Sequence, residues 1–452
     1  MTILPKMLYL FRVLPIPIPA YFLRNLQRKT QSFIWSTLKS RISPHTLYLP
    51  KLKGGLGFPN FATYFHAAQI ANIPKYHVSH EIPLWVVIET IDSDPISIPN
   101  LIWSTSSNHR IIDNKITKHT ISIWERFKMT QGLQSPHVPL ISFMRNSKFY
   151  PALTFPRTFT RWISAGLTQC CDFLKPASFK TFPEIRESHK LPASEIFRYL
   201  QIKNFFAPYL QGIDKLSDMT QFERICKRDP HSRGLISILY SQLSTKLTAK
   251  LPSYAEKWMN DLGFNIDIST WNKVWSNTKT SSQNILAMET NDKVLMYWYL
   301  VPVRIAKFAP HYSPLCFRGC GDPGTHLHIF WECPVTKNYW KEIFLMISAV
   351  FKKSITPDPT TALLNLKPDC ISYAQFKLFL QITTAAKQTI SKAWKTATLL
   401  VSETRNRVHQ AMLHSKSEAI TNDSIDIYET IWNPWVTYTI SSNPDDSLLR
   451  PW

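Results

Sequence analysis

The stretch PLCFRGCGDPGTHLHIFWECPVTKNYW, residues 314–340, decides how the rest of the sequence is interpreted. It contains the motif Cys316-x3-Cys320-x7-His328-x4-Cys333. Three thiolates and one imidazole are the ligand set of a closed, tetrahedral zinc site. His326 lies two residues before His328 and is a competing fourth ligand. The alternative is an apolar pocket holding three structural cysteines and a hydrogen-bonded histidine, but such compact order favours one zinc ion.

The residues between and after the ligands predict a small zinc-knuckle-like turn followed by a helix. The turn residues are Gly319, Gly321, Pro323 and Gly324. Pro334 suits the first turn of a helix. The apolar stripe of that helix comprises Trp340, Ile343, Phe344, Ile347 and Phe351. The zinc is expected to be structural, because four protein ligands leave no open position for a catalytic water.

Composition limits the class of protein. The chain has 452 residues, of which 44% are hydrophobic, so a disordered chain is excluded. It carries 52 Lys and Arg against 31 Asp and Glu, and a net charge of +21 predicts a polyanionic partner, most commonly nucleic acid. The cysteine count is odd and three cysteines cluster, which favours a reducing compartment. The sequence has no uncharged apolar run of about 18 residues, so it predicts no membrane span. Lys6, Arg12, Pro15, Pro17 and Pro19 interrupt residues 1–23, which argues against a signal peptide.

The charge is uneven along the chain. Residues 1–80 contain ten Lys and Arg and no acidic residue, whereas the last 32 residues are acidic and are expected to form a solvated tail. Residues 20–36 predict an amphipathic helix, and residues 49–61 are rich in turn formers. The predicted phosphate contacts in this basic head are Arg24, Arg28, Lys29, Lys51 and Lys53. The alternative is a basic surface that is merely solvated.

The C-terminal part has the clearest helical period. Over residues 376–408 the apolar positions share one side of a helical wheel, and basic side chains occupy the opposite arc. This pattern predicts a long amphipathic helix. It is either a surface helix with one solvated face or a ridge that faces phosphates. The predicted phosphate contacts of the ridge are Lys387, Lys392, Lys395 and Arg405.

Carboxylates that could hold catalytic magnesium are missing from the pattern, so we expect no enzyme activity. Asp445 and Asp446 are adjacent but lie in the acidic tail, and residues 53–60 lack the order of a phosphate-binding loop. The expected fold class is mainly α, a helical protein of several segments. The segments are a basic thumb-like helical segment (1–80), an irregular connector (81–190), a helical Trp-rich region (191–310), the Cys3His motif with its helix (311–351) and a C-terminal helical region with the acidic tail (352–452).

Two parts of the sequence resemble a known family. The first comprises ILPKMLYLFRVLPIPIP (3–19), FIW (33–35) and LPKLKGGLGFPNF (49–61), and it is similar to the segment after the polymerase palm in non-LTR (LINE-type) retrotransposon reverse transcriptases. The second, residues 289–334, resembles the region leading into the C-terminal cysteine motif of that family. The spacing of that motif selects His328 over His326 as the fourth ligand.

The resemblance implies a C-terminal piece made of thumb, connector, cysteine motif and final helices. In the family these parts hold template RNA and target DNA, within a ribonucleoprotein of nucleus and cytoplasm. We therefore expect RNA or DNA as partner, no membrane, no small-molecule substrate and, without palm or endonuclease, no DNA synthesis. One alternative is a truncated, decayed reading frame, which a large exposed apolar patch around residues 1–40 would favour. Another is a protein-interaction scaffold using the Trp-rich segment 258–299.

Overall fold

The described residues are mainly helical, and the described strands are only two residues long, which confirms the mainly α prediction. The computed structural model describes residues 3–14, 16–36, 40–77, 82–93, 96–103, 113–131, 140–175, 178–210, 221–226, 233–244, 250–282, 284–396 and 398–442. The chain forms two compact units. Unit 1 comprises Met1–Thr37 with Pro59–Lys246, and unit 2 comprises Leu38–Phe58 with Leu247–Trp452. The segment 1–80, predicted as one thumb-like element, is therefore divided between the two units.

The secondary structure elements follow in chain order. The α-helices are α1 Ile3–Val13, α2 Ala20–Trp35, α3 Pro44–Tyr48, α4 Phe61–Ile70, α5 Leu84–Asp92, α6 Ile98–Trp103, α7 Lys115–Gln131, α8 Tyr150–Thr154, α9 Thr160–Ser164, α10 Phe182–His189, α11 Ile196–Leu210, α12 Gln221–Cys226, α13 Leu235–Leu243, α14 Ser253–Leu262, α15 Ile268–Thr280, α16 Ile285–Leu295, α17 Pro302–Ala306, α18 Pro334–Phe351, α19 Pro359–Leu363, α20 Tyr373–Lys392, α21 Val401–Thr421 and α22 Ile425–Ser442. Short 3-10 helices span Lys51–Lys53, Ile73–His77, Pro156–Phe159, Cys170–Phe173 and Ala193–Glu195. The described strands are β1 Leu174–Lys175 and β2 Ser178–Phe179, which pair antiparallel.

Unit 1 is built around α4, whose sequence FATYFHAAQI is apolar on most sides. The helix begins where the side chain of Asn60 accepts a hydrogen bond from the N–H of Thr63 at 3.1 Å. Helices α1, α2, α7 and α13 pack around it. Because its alanines allow close approach, its neighbours bury large rings against it, such as Phe11 at 5.5 Å from Phe65.

The segment 81–190 was expected to be irregular, and the structure corrects this expectation. It contains the helices α5 to α10, and the run Leu84 to Ile88 is helical. Two of the prolines that suggested loops lie at helix starts: Pro83 is the N-cap of α5, and Pro151 lies in the first turn of α8. Proline is well tolerated there because the first N–H groups of a helix have no internal partner.

Unit 2 is organised around α20. The side chain of Ser372 caps this helix by accepting a hydrogen bond from the N–H of Gln375. Helices α16, α18, α19, α21 and α22 all pack on it, so it is covered on most sides. The helix expected over 376–408 is in fact α20 and α21, separated after Lys392. Thr396 bonds its hydroxyl to the carbonyl of Ala393, a local contact that competes with helix continuation.

The predicted acidic tail is only partly covered by the structure. Asp423, Asp426 and Glu429 are exposed at the start of α22, whereas Asp445 and Asp446 lie outside the described residues. Within the described ranges, no helix combines the length and the apolar character needed to cross a membrane.

Candidate metal centre

A tight hairpin-like turn presents the first two cysteines. Leu315 and Pro323 form an antiparallel bridge, and the N–H of Cys316 donates to the carbonyl of Asp322 at 2.8 Å. Gly319 and Gly321 adopt φ values of +76° and +85°, a region that side chains disfavour. The predicted turn residues therefore fold the chain back so that Cys316 and Cys320 face the same point.

Gly324 is needed for a different reason, which is close packing. A Cβ atom on this residue would lie 2.5 Å from Cγ of Pro302 at the start of α17. The N–H of Gly324 donates to the carbonyl of Pro314 at 2.8 Å, which closes the turn. The absence of a side chain therefore lets the metal-binding turn rest directly on the proline ring.

The second pair of ligands is presented by a single π-helical turn, His328–Glu332. The N–H of Cys333 donates to the carbonyl of His328 at 2.8 Å, an i→i+5 bond. Five residues of α-helix turn through about 500°, which would place the two side chains about 140° apart. The wider π turn brings them to one side, so it explains how an x4 spacing can serve one ion.

The four ligand atoms converge. All lie within 4.8 Å of one another, with 4.0 Å between the sulfurs of Cys316 and Cys333, and 3.2 Å between Cys320 Sγ and His328 Nε2. A tetrahedral zinc with Zn–S of about 2.3 Å separates its sulfur ligands by about 3.8 Å. The donor set and spacing therefore fit one metal ion and are consistent with zinc.

His326 does not belong to this cluster. Its Nε2 lies 2.9 Å from the carbonyl oxygen of Val294, and its ring stacks on Tyr297 at 4.2 Å. Burial lowers the pKa of its imidazole to about 3, so the ring is neutral at pH 7. The structure thus leaves His328 as the histidine ligand, as the family spacing indicated.

The thiols of the cluster differ in acidity in the metal-free chain. Burial raises the pKa of Cys316 to about 12. Burial acts in the same direction on Cys333, but the backbone N–H groups of Val335 and Thr336 and the charge of Arg318 oppose it and lower its pKa. Cys333 is the N-cap of α18, where the positive end of the helix favours a thiolate.

Arg318 is the functional residue that sequence reasoning missed. Its Nη1 donates to the carbonyl of Ile329 at 2.9 Å and to the hydroxyl of Thr336 at 3.0 Å. In the π register the carbonyl of Ile329 would pair with residue 334, but Pro334 has no N–H. Arg318 and the hydroxyl of Thr336, at 3.0 Å, both donate to this carbonyl instead. Arg318 thereby connects the cysteine turn to the helical half of the site. The only sequence signal was a basic residue between two ligands.

The predicted phosphate contacts of the head are exposed in their separate units. Arg24, Arg28 and Lys29 lie on α2 of unit 1, whose buried residues are Leu23 and Trp35. Lys51 and Lys53 lie in the 3-10 turn of unit 2, where Nζ of Lys53 is 3.5 Å from Oδ1 of Asn272.

The predicted C-terminal ridge is only partly on the surface. Lys392, Lys395 and Arg405 are exposed. Nζ of Lys395 lies 5.6 Å from the ring centre of Phe317, a residue that lies between Cys316 and Cys320 in the sequence. Arg405 donates to the hydroxyl of Tyr438 at 3.1 Å.

Lys387 is a correction to the predicted ridge. Its side chain is fully buried, and Nζ donates to Oδ1 of Asn365 at 2.7 Å. The helical-wheel prediction was wrong for Lys387 because it assumed that one face of the helix is solvated, whereas neighbouring helices cover α20 on most sides. Lys387 therefore cannot contact a phosphate in this fold.

The tryptophans of segment 258–299 are mainly core residues. Trp258, Trp271 and Trp275 are buried, and Nε1 of Trp258 donates to the carbonyl of Leu295 at 2.8 Å. These three rings are unavailable to a partner, which weakens the scaffold alternative.

No protein-family model matches the chain.

Proposed function

We propose that this chain is a non-catalytic nucleic-acid-binding protein with one structural zinc ion, related to the C-terminal part of non-LTR retrotransposon reverse transcriptases. The observation that carries the proposal is the convergence of Cys316, Cys320, His328 and Cys333 in the order typical of that family's cysteine motif. A bound zinc would link the turn to α18, and the four protein ligands would leave no position for a reacting water.

The charge distribution supports contact with a nucleic-acid backbone. The net charge is +21, and eight of the nine predicted phosphate contacts have exposed side chains. Lys395 lies beside the metal-binding turn, so a metal-ordered turn would also support a basic surface. Contacts of this kind are electrostatic and largely independent of sequence, and they release counterions on binding. RNA or DNA, in a nuclear and cytoplasmic ribonucleoprotein, is the proposed partner.

The proposal is tested by filter binding of RNA and DNA at increasing salt. The wild-type affinity is expected to fall steeply, and the variant Arg24→Gln, Arg28→Gln, Lys29→Gln should reduce the slope of log affinity against log salt by about 2 to 3. Lys341→Gln with Lys416→Gln, at exposed positions outside the predicted set, is the control and should change the slope less. A flat salt response of the wild type would refute the proposal.

A second candidate function is binding to another protein through α1 and α2. The observation that favours it is the exposure of large apolar side chains, with Ile3 67%, Tyr9 66% and Phe33 86% exposed. Contiguous exposed apolar surface marks interaction sites, and a structurally incomplete product would expose it equally. If this apolar face binds proteins, it should also cause the wild-type chain to self-associate in sedimentation experiments. Phe33→Glu with Tyr9→Glu should then suppress this self-association. A wild type that sediments as a monomer, with the double variant sedimenting in the same way, would count against this candidate.

A further inference from the structure

We propose that Arg318 is the counter-ion of the metal centre: its guanidinium neutralises the net negative charge that three thiolates give to a bound divalent ion. The inference rests on the proposed zinc site and adds a residue that the ligand motif does not contain. Arg318 is a positioning and charge-balancing residue, because it would not ligate the metal itself.

The first observation is that Arg318 is buried without an anion. Its residue surface is 8% exposed, and within the described part of the chain it forms no ion pair with a carboxylate. Its Nε and Nη2 groups are buried and find no acceptor among the described residues. A buried cation without a partner is strongly unfavourable. Among the described residues this positive charge therefore has no anion, and an anionic bound group would compensate it.

The second observation is where this charge lies. Arg318 is two residues from Cys316 and two from Cys320. Its guanidinium donates to the carbonyl of Ile329, the residue after His328, and to the hydroxyl of Thr336, three residues after Cys333. Asp322 and Glu332 belong to the same segment, but neither forms an ion pair with Arg318 among the described residues. The guanidinium is thus hydrogen-bonded to groups that lie beside His328 and Cys333 in the chain, and Arg318 itself lies between Cys316 and Cys320.

The charge balance follows from the ligand set. A divalent ion with three thiolates and one neutral imidazole carries a net charge of about −1. The single positive charge of Arg318 brings the buried assembly to neutrality, which is the condition under which buried charges are tolerated. Its bonds to Ile329 and Thr336 fix the guanidinium in place, so the compensating charge is already positioned before the ion binds.

The test measures zinc affinity of the full-length chain by competition with a chromogenic chelator, and Co²⁺ absorption reports whether thiolates still ligate. Arg318→Met removes the charge and should weaken zinc binding by about 10- to 100-fold. Arg318→Lys keeps the charge and should stay within about threefold. Thr336→Val removes the other donor to Ile329 but keeps the charge, and it should also stay close to wild type.

A double-mutant cycle separates charge from packing. Cys320→His makes the centre neutral with a divalent ion, so Arg318→Met should then cost much less affinity than it does in the wild-type ligand set. If Arg318→Met does not fold, Arg318→Gln retains an N–H donor and takes its place. The counter-ion role would be overturned if Arg318→Lys and Arg318→Met lost equal zinc affinity. It would also be overturned if Arg318→Met cost as much zinc affinity in the Cys320→His background as in the wild-type ligand set. A wild-type chain that binds no zinc would instead overturn the proposed metal centre itself.

Discussion

Replacement of Lys387 by methionine gives a direct test of the buried core of unit 2. Lys387 is fully buried on α20, and burial lowers the pKa of its ammonium group from 10.5 to about 7. The unfolded chain therefore keeps a proton on this side chain between pH 7 and 10.5 that the folded chain has released. Stability rises with pH wherever the unfolded state binds more protons, so Lys387 makes the wild type more stable as pH rises through this window.

The magnitude follows from the shift. A difference of about 3.5 pK units at about 1.4 kcal/mol each corresponds to about 5 kcal/mol across the whole window. Between pH 7 and pH 9.5 the free energy of unfolding of the wild type should rise by about 3 kcal/mol relative to Lys387→Met. At every pH the variant also leaves Oδ1 of Asn365 without its donor, which costs about 1 to 3 kcal/mol and does not depend on pH.

The assay is urea unfolding followed by tryptophan fluorescence at pH 7 and pH 9.5. Every other titratable group is common to both proteins, so its contribution cancels in the difference. Lys392→Met is the control, because Lys392 is exposed on the same helix and its replacement should leave the pH dependence unchanged. Parallel stability curves for the wild type and Lys387→Met would refute the buried placement of this lysine.

Three further substitutions test the packing of the candidate metal-binding turn and two ion pairs of unit 2. Gly324→Ala should lower the melting temperature by an amount equivalent to about 1 to 3 kcal/mol, because the new Cβ would lie 2.5 Å from the ring of Pro302; an unchanged melting temperature in calorimetry would contradict this contact. Asp292→Ala should destabilise unit 2 by about 1 to 2 kcal/mol in urea unfolding, because it leaves the half-buried Lys279, now 2.6 Å from its carboxylate, without a partner. Glu289→Ala breaks the more exposed pair with Lys293 and should cost less than about 0.5 kcal/mol, so equal losses would argue against the burial of the first pair.

The candidate Cys3His cluster was predictable because the identity and spacing of its residues are properties of the sequence itself. Three cysteines and a histidine in compact order, with glycines between them, specify a turn whatever the rest of the chain does. The choice between His326 and His328 was not fixed by these residues alone. It depends on the π turn at His328–Glu332, whose register is set by packing and by the missing N–H of Pro334.

The helical ridge was predicted less well, because a helical wheel describes one helix in isolation. The pattern correctly found α20 but treated Lys387 as solvated, since a basic residue opposite an apolar stripe normally faces water. Helices that are distant in sequence cover this side of α20. The connector shows the converse error, because Pro83 and Pro151 lie at the starts of helices instead of ending them.

Arg318 could not be assigned from the sequence for a similar reason. Its role depends on an acceptor, the carbonyl of Ile329, that is left unpaired by a turn eleven residues later. Backbone acceptors carry no signal in a side-chain pattern, so only the folded chain reveals which basic residue is held inside the metal centre.

The central claim is that one ion holds the Cys3His cluster together, and metal content tests it most directly. Protein purified under reducing conditions with zinc present should contain one zinc per chain by elemental mass spectrometry. Cys316→Ser with Cys333→Ser should contain none, whereas Cys370→Ser, which changes an exposed cysteine outside the cluster, should retain the full amount. Equal zinc in the wild type and in the double variant, or no zinc in either, would contradict the account.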